Sequence, residues 1–155
     1  MRLTLQTDYS LRVLMFTALR GRKLSTIAEI AEHFGISRNH LMKVVNKLAR
    51  AGYLDTIRGK NGGFCLLRKP RQIKVGSVVR DIEEELGVVG CLQSDDYCPI
   101  EGACVLRRAL SEATIAFLAV LDRYTLEDLI RPGKSLAKSL NIDWTPPSVR
   151  GAASL

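Results

Sequence analysis

The stretch CLQSDDYCPIEGAC holds Cys91, Cys98 and Cys104 at a C-x6-C-x5-C spacing, together with Asp95, Asp96 and Glu101. Three thiols this close together can bind a metal or respond to oxidants. Structural zinc asks for four Cys/His ligands; this loop offers three cysteines, and no histidine follows His40. A disulfide would leave one thiol over. The three acidic residues argue against a deeply buried apolar loop. An iron–sulfur cluster fits the count, because a non-cysteine donor can complete its ligand set. From the residues alone, cluster binding, thiol redox sensing, zinc and a structural role all stay open. Cys65 stands apart, in a segment read as a strand, and is read as a small buried hydrophobe.

No run approaches the roughly 20 apolar residues of a membrane span, and MRLTLQTDYS has no signal-peptide core. The expected location is the cytoplasm, where disulfides are rare and clustered cysteines read as metal-binding or redox groups. The 155 residues are 46% apolar and only 6% aromatic, which suits a core of aliphatic side chains on helices. The net charge of +7 is uneven. Residues 1–74 hold 15 Lys/Arg against 4 Asp/Glu, and residues 75–155 hold 8 against 12. A basic half facing a polyanion, joined to a half with another task, is the expected division.

The elements of the basic half support that reading. Thr7 or Asp8 is the expected cap of a first helix, with Leu11, Leu14, Met15, Ala18 and Leu19 on one face. Thr26 and Glu29 have the spacing of a capping box before TIAEIAEHF, and Gly35 is the expected stop. Ser37 caps RNHLMKVVNKLARA, whose Leu41, Val44, Val45 and Leu48 face inward. Two helices joined by a tight turn, the second one basic, form a helix-turn-helix. YLDTI, RGKNGG and FCLLR then read as strand, turn and strand, with Asn61-Gly62 as the hairpin signal. The fold class expected is mainly α: a winged helix-turn-helix with a two-stranded wing and a long C-terminal dimerisation helix.

On the recognition helix, Ser37, Arg38, Asn39, His40 and Lys43 are the outward residues of the first turns, suited to base edges. Lys47 and Arg50 lie further along and suit phosphates. Arg58 and Lys60, at the wing tip, suit a narrow minor groove. His33 and His40 lack a cysteine partner and read as solvated or DNA-facing. A fourth helix is expected from about 75 to 85, ending in Glu83-Glu84-Glu85, before the cysteine loop. The longest helix follows, from about 105 to 124. Leu106, Leu110, Ala113, Phe117, Leu121 and Tyr124 form one stripe with Val105, Ala109, Ala116 and Val120 beside it, a surface too broad for one partner that suggests a homodimer. Residues 125–130 read as a short capped helix. The expected domains are 1–74 (DNA binding), 75–130 (cysteine loop and dimerisation) and 131–155 (a flexible tail). No substrate-binding signature and no Ser/His/Asp or Cys/His set marks an enzyme.

TDYSLRVL (7–14), SRNHLMKVVNKLARAGY (37–53), RGKNGGF (58–64), the cysteine loop and LDRYTLEDLI (121–130) together resemble the bacterial winged-helix iron–sulfur regulators, in particular their nitric-oxide-sensing repressors. The resemblance covers about residues 1–130. It implies a homodimer on a palindromic double-stranded DNA operator, holding a 2Fe-2S or 4Fe-4S cluster. Nitric oxide attacks the cluster and releases nitric-oxide detoxification genes. It also implies that Cys91, Cys98 and Cys104 are the thiolate ligands, that Asp8 supplies an oxygen ligand across the dimer, and that Arg12 supports Asp8. Other members use a histidine soon after the third cysteine; here Val105, Leu106, Arg107 and Arg108 follow Cys104. Read from the residues alone, Asp8 is a helix cap, and a thiol- or metal-based redox sensor of the same fold is the alternative function.

Overall fold

A computed structural model describes residues 2–87, 89–92, 100 and 103–144. Helices α1 (Leu5–Leu19), α2 (Ile27–Phe34) and α3 (Arg38–Arg50) are followed by strands β1 (Leu54–Ile57) and β2 (Gly63–Leu66). Then come α4 (Val75–Ile82), α5 (Val105–Leu121), α6 (Leu126–Leu129) and α7 (Gly133–Ser139).

Helix α1 is the centre of the winged half, packed by α3, α4, α6 and β2. It starts earlier than its sequence suggested. Thr4 is the N-cap, its hydroxyl accepting the Thr7 N–H at 3.3 Å, and Asp8 lies in the first turn. Neither Thr7 nor Asp8 caps the helix. The helix is also buried on more than one face: Val13, Phe16 and Thr17 are core residues besides Leu14, Ala18 and Leu19. Two hydroxyls tolerate burial by bonding back along the helix, Ser10 to the Gln6 carbonyl and Thr17 to the Val13 carbonyl, both at 2.7 Å.

The helix-turn-helix forms from local signals. Thr26 and Glu29 make the reciprocal capping box, with Thr26 N–H to Glu29 at 2.9 Å and Glu29 N–H to Thr26 at 3.2 Å. Gly35 takes the left-handed conformation at φ 64° that ends α2. Ser37 caps α3, and Leu41, Val44, Val45 and Leu48 are buried beneath it. Burial of each such side chain contributes about 1.5–3 kcal/mol.

The wing pairs Leu54 with Leu66 through to Ile57 with Gly63, antiparallel. Its turn differs from the Asn61-Gly62 type read in the sequence. Residues 58–62 make a longer loop; Gly59 holds the positive φ of 112°, and the Gly62 N–H returns to the Gly59 carbonyl at 2.9 Å. Gly62 is needed for space instead, since a Cβ there would overlap the Ile57 carbonyl. Ser25 and Phe64 exchange backbone hydrogen bonds at 2.9 Å, fastening the wing to the start of α2. Cys65 is buried in β2, as its position in the strand suggested.

Helix α4 buries Val75, Val78, Val79 and Ile82 and stops at Ile82, three residues short of the expected end. The Tyr53 hydroxyl donates to Asp81 of this helix; burial first, and then that bond, raise the phenol above its ordinary value of 10.0. α5 meets its own chain at its C-terminal end. Leu118 is its one buried residue, and Asp122 just beyond it pairs with Arg80 of α4. Gly76 allows this approach, because a Cβ at 76 would overlap the Asp122 carboxylate. Thr125 and Asp128 form a capping box on α6, and the Val75 and Leu126 N–H groups bond across to Tyr124 and Ile73.

Past Arg131 the chain is not simply a loose tail. Helix α7 buries Gly133 and Ala137, and Leu136, Leu140 and Ile142 pack against the core. Residues 145–155 lie outside the described residues.

The Arg80–Asp122 pair has a pH signature. The hydrogen bond from Arg80 holds the Asp122 carboxyl below its ordinary value of 3.8, and Thr125 does the same for Asp128. A lowered folded-state pKa contributes stability above the ordinary value, lost as pH falls through the lowered one. Urea midpoints should therefore put wild type above Asp122→Asn at neutral pH, with the gap closing below about pH 3.8. A gap that stays constant into acid would show that Asp122 acts through packing alone.

Candidate DNA interface and cysteine centre

The outer face of α3 is exposed where DNA recognition requires it. Ser37, Arg38, Asn39, His40 and Lys43 are all solvent-facing at its N-terminal end. Met42 and Asn46 share that face and went unnoticed in the sequence, although their i+3 and i+7 spacing from Asn39 was there to read. His40 and Lys43 also border a hollow of about 560 Å³ with Val44, Arg2, Gln6 and Tyr9. The His40 ring lies 6.3 Å from that of Tyr9. Arg2 thus borders the same hollow as the recognition helix, which no local pattern signals.

Lys47, read in the sequence as a phosphate contact, has partners within its own chain. Its ammonium donates to the Ile82 carbonyl at 2.8 Å and to Glu84 at 3.1 Å. Arg50 is exposed. Arg58 and Lys60 are both exposed in the wing turn. The base of the wing is held to α3 by Tyr53, whose N–H donates to the Leu48 carbonyl at 2.9 Å and whose carbonyl accepts from Leu67 at 3.0 Å.

Of the cysteine loop, Cys91 lies in a 3-10 turn spanning Gly90–Leu92. Cys104 is the N-cap of α5, its sulfur accepting the Arg107 N–H at 3.3 Å. Cys98 lies outside the described residues. Leu92, Cys104, Arg107, Arg108 and Ile115 border one open hollow of about 600 Å³. Among the described residues, no three His, Cys, Asp or Glu side chains converge on a common metal position.

Asp8 faces solvent on α1. Its carboxylate pairs with Arg12, Nη2 at 2.9 Å and Nε at 3.2 Å, with both side chains more than 40% exposed. The structure thus joins Asp8 to Arg12. Among the described residues of a single chain, no hydrogen bond or ion pair joins Asp8 to Cys104.

Helix α5, which Cys104 caps, is touched by the Gly90–Leu92 turn but stays largely exposed along its N-terminal half. No residue between 105 and 117 is buried, and Leu106 and Ile115 are 64% and 66% exposed. Val105 and Val120 add to this apolar surface. Val105, Leu106 and Val120 lie on one side of the helix and Ile115 on the other, beside Arg108 and Glu112, so apolar side chains are exposed on two sides of α5.

Residues 3–132 match the family model of Rrf2, described as an iron-dependent transcriptional regulator. The chain belongs to the Rrf2 family. It is 46% identical over 144 residues to the HTH-type transcriptional regulator NsrR of Bacillus subtilis (strain 168), covering 92% of this chain and 99% of that one. Among solved structures, it resembles CymR (YrzC), the global cysteine regulator of B. subtilis, at 26% identity and a TM-score of 0.68. That match covers 85% of this chain and 98% of CymR. It resembles T. potens IscR at 26% identity and a TM-score of 0.69, covering 88% and 90%. This Rrf2 protein is a DNA-binding transcriptional regulator and not an enzyme. No helix among its described residues is long and apolar enough to cross a membrane.

Proposed function

We propose that this regulator is a homodimeric repressor that holds an iron–sulfur cluster and releases its operator when nitric oxide reaches that cluster. The observation that carries the reading is the position of Cys104. One residue is both a ligand candidate in the cysteine loop and the N-cap of the helix that leaves Val105, Leu106, Ile115 and Val120 exposed. Chemistry at that thiol therefore acts at the root of the surface suited to a second subunit. The identity to NsrR and the iron-dependent family description support the same reading; nitric oxide as the signal rests on the sequence resemblance.

The donors present suit a thiolate-bound cluster. Cys104 sulfur accepts a backbone N–H, a contact that tunes cluster potentials. Arg107 and Arg108 border the same hollow and offset negative charge there. Cys91, Cys98 and Cys104 would hold the group, with Asp8 of the partner subunit as the oxygen donor. The cluster, 2Fe-2S or 4Fe-4S, supplies iron at which nitric oxide reacts. Asp8 is exposed and therefore accessible to a second chain, and Arg12 orients its carboxylate. Ser37, Arg38, Asn39, His40 and Lys43 read the major groove, while Arg58 and Lys60 enter the minor groove. Because α1 packs directly on α3, a change in what Asp8 holds shifts the recognition helix relative to its mate. Paired half-sites have a fixed spacing, so such a shift weakens both contacts together.

Asp8→Ala tests the cross-subunit ligand. Its exposure keeps the fold out of the result. Anaerobically purified Asp8→Ala protein should lose iron faster than wild type on dilution and require less nitric oxide to leave DNA. Iron retention and a nitric-oxide titration identical to wild type would remove Asp8 from the ligand set. A thiol- or metal-based redox sensor is the second reading, favoured by the incomplete burial of Cys104; in its thiol form it differs in being colourless.

A further inference from the structure

Helix α4 hands the chain to the cysteine loop through Ile82, Glu83 and Glu84, and these three residues are tied to two other helices. Glu83 leaves the helix in an extended conformation, φ −70° and ψ 130°. The Glu83 N–H still reaches the Val79 carbonyl at 2.8 Å, but the helix supplies no further N–H for the Ile82 carbonyl. Lys47 of α3 meets that carbonyl, donating to the Ile82 oxygen at 2.8 Å, a cation at a helix C-terminus. The same ammonium reaches Glu84 at 3.1 Å. On the other side, Glu83 Oε1 accepts the Thr4 N–H at 2.7 Å and the Thr4 hydroxyl at 3.2 Å. Thr4 is the N-cap of α1, the helix that bears Asp8.

We propose that Ile82–Glu84 is a strap that transmits the state of the cysteine loop to the recognition helix, with Lys47 as its positioning residue. The contacts differ in weight. Glu84 is 86% exposed, and its ion pair is screened by solvent. The Lys47–Ile82 bond is partly buried and weighs most, while the two Thr4 bonds converge on one carboxylate oxygen but are solvent-exposed like the Glu84 pair. A shift of the loop pulls on the residues next to it and so on α3 through Lys47 and on α1 through Thr4. Coupling is reciprocal: fixing α3 on DNA restrains the strap. The proposal rests on DNA binding and not on the cluster, so it stands or falls independently of the nitric-oxide reading.

Hydrogen exchange of the full chain, free and bound to a duplex that the wild type selects from random sequences, tests it. In wild type, DNA should slow the amides of 83–87 on the order of fivefold or more. Lys47→Met and Glu83→Ala should each lose that protection, and Lys47→Arg should keep it. Glu83→Ala is informative because removing an acid, on electrostatics alone, tightens DNA binding. The salt dependence of Lys47→Met binding should match wild type. Two results would overturn the strap. One is wild-type protein whose 83–87 amides ignore DNA. The other is Lys47→Met protein that keeps strap protection while its salt slope falls by about one, the mark of a lost phosphate contact.

Discussion

Cys104→Ser is expected to fold as well as wild type and to purify without iron. Serine is a preferred N-cap, and its hydroxyl can accept the Arg107 N–H that the sulfur accepts now. The start of α5 is therefore preserved, whereas alanine would cost about 1 kcal/mol there. The soft thiolate that an iron–sulfur cluster selects is lost. Iron and sulfide content should drop to a small fraction of wild type while the circular dichroism spectrum is unchanged. Cys65→Ser is the control. Cys65 is buried in β2, within the winged half, so that substitution should lower stability and leave iron content untouched. Wild-type iron content in Cys104→Ser would remove Cys104 from the ligand set and with it the link between cluster and α5.

Ile115→Glu should turn the protein into a folded monomer that holds its operator poorly. Ile115 is 66% exposed in its own chain, so the charge disturbs no internal packing. In a symmetric dimer the same change appears twice, and a buried unpaired carboxylate costs several kcal/mol. Losing one of two half-site contacts then lowers operator affinity on the order of a hundredfold or more. Ile115 also borders the hollow beside Cys104. Val120→Glu, at the other end of α5, is the companion variant that leaves that hollow alone and should give the same result. Light scattering reads the mass, and titration of a two-half-site duplex reads the affinity. The two residues point to different sides of α5, so loss of the dimer in only one variant would show which side meets the partner; dimers of wild-type stability in both would assign these residues to some other partner.

The winged half was legible because its signals are local. The Thr26–Glu29 box, Gly35 and the Ser37 cap each act within one turn of helix, and all three are in the structure. The inward faces of α3 and α4 followed from spacing for the same reason. Helix α1 was read too narrowly. A one-face pattern suits a surface helix, but α1 is central, so Val13, Phe16 and Thr17 are buried as well. Its true cap, Thr4, was hidden behind two better-looking candidates. Lys47 was read as a phosphate ligand because a lysine on a basic helix gives no sign of a carbonyl 35 residues away. Helix α7 was masked by Gly, Ser and Pro, although Leu136 and Leu140 have helical spacing. The cysteine loop remains where sequence says more than structure: Cys91, Cys98 and Cys104 announce themselves by spacing, while Cys98 lies outside the described residues.

The most direct test is an anaerobic absorbance spectrum of the freshly purified protein, titrated with nitric oxide while operator binding is followed in the same sample. The iron–sulfur account predicts a broad visible band that bleaches in step with the loss of DNA affinity. A colourless protein that binds its operator tightly and ignores nitric oxide would contradict it, and Cys91, Cys98 and Cys104 would then be the parts of a thiol switch.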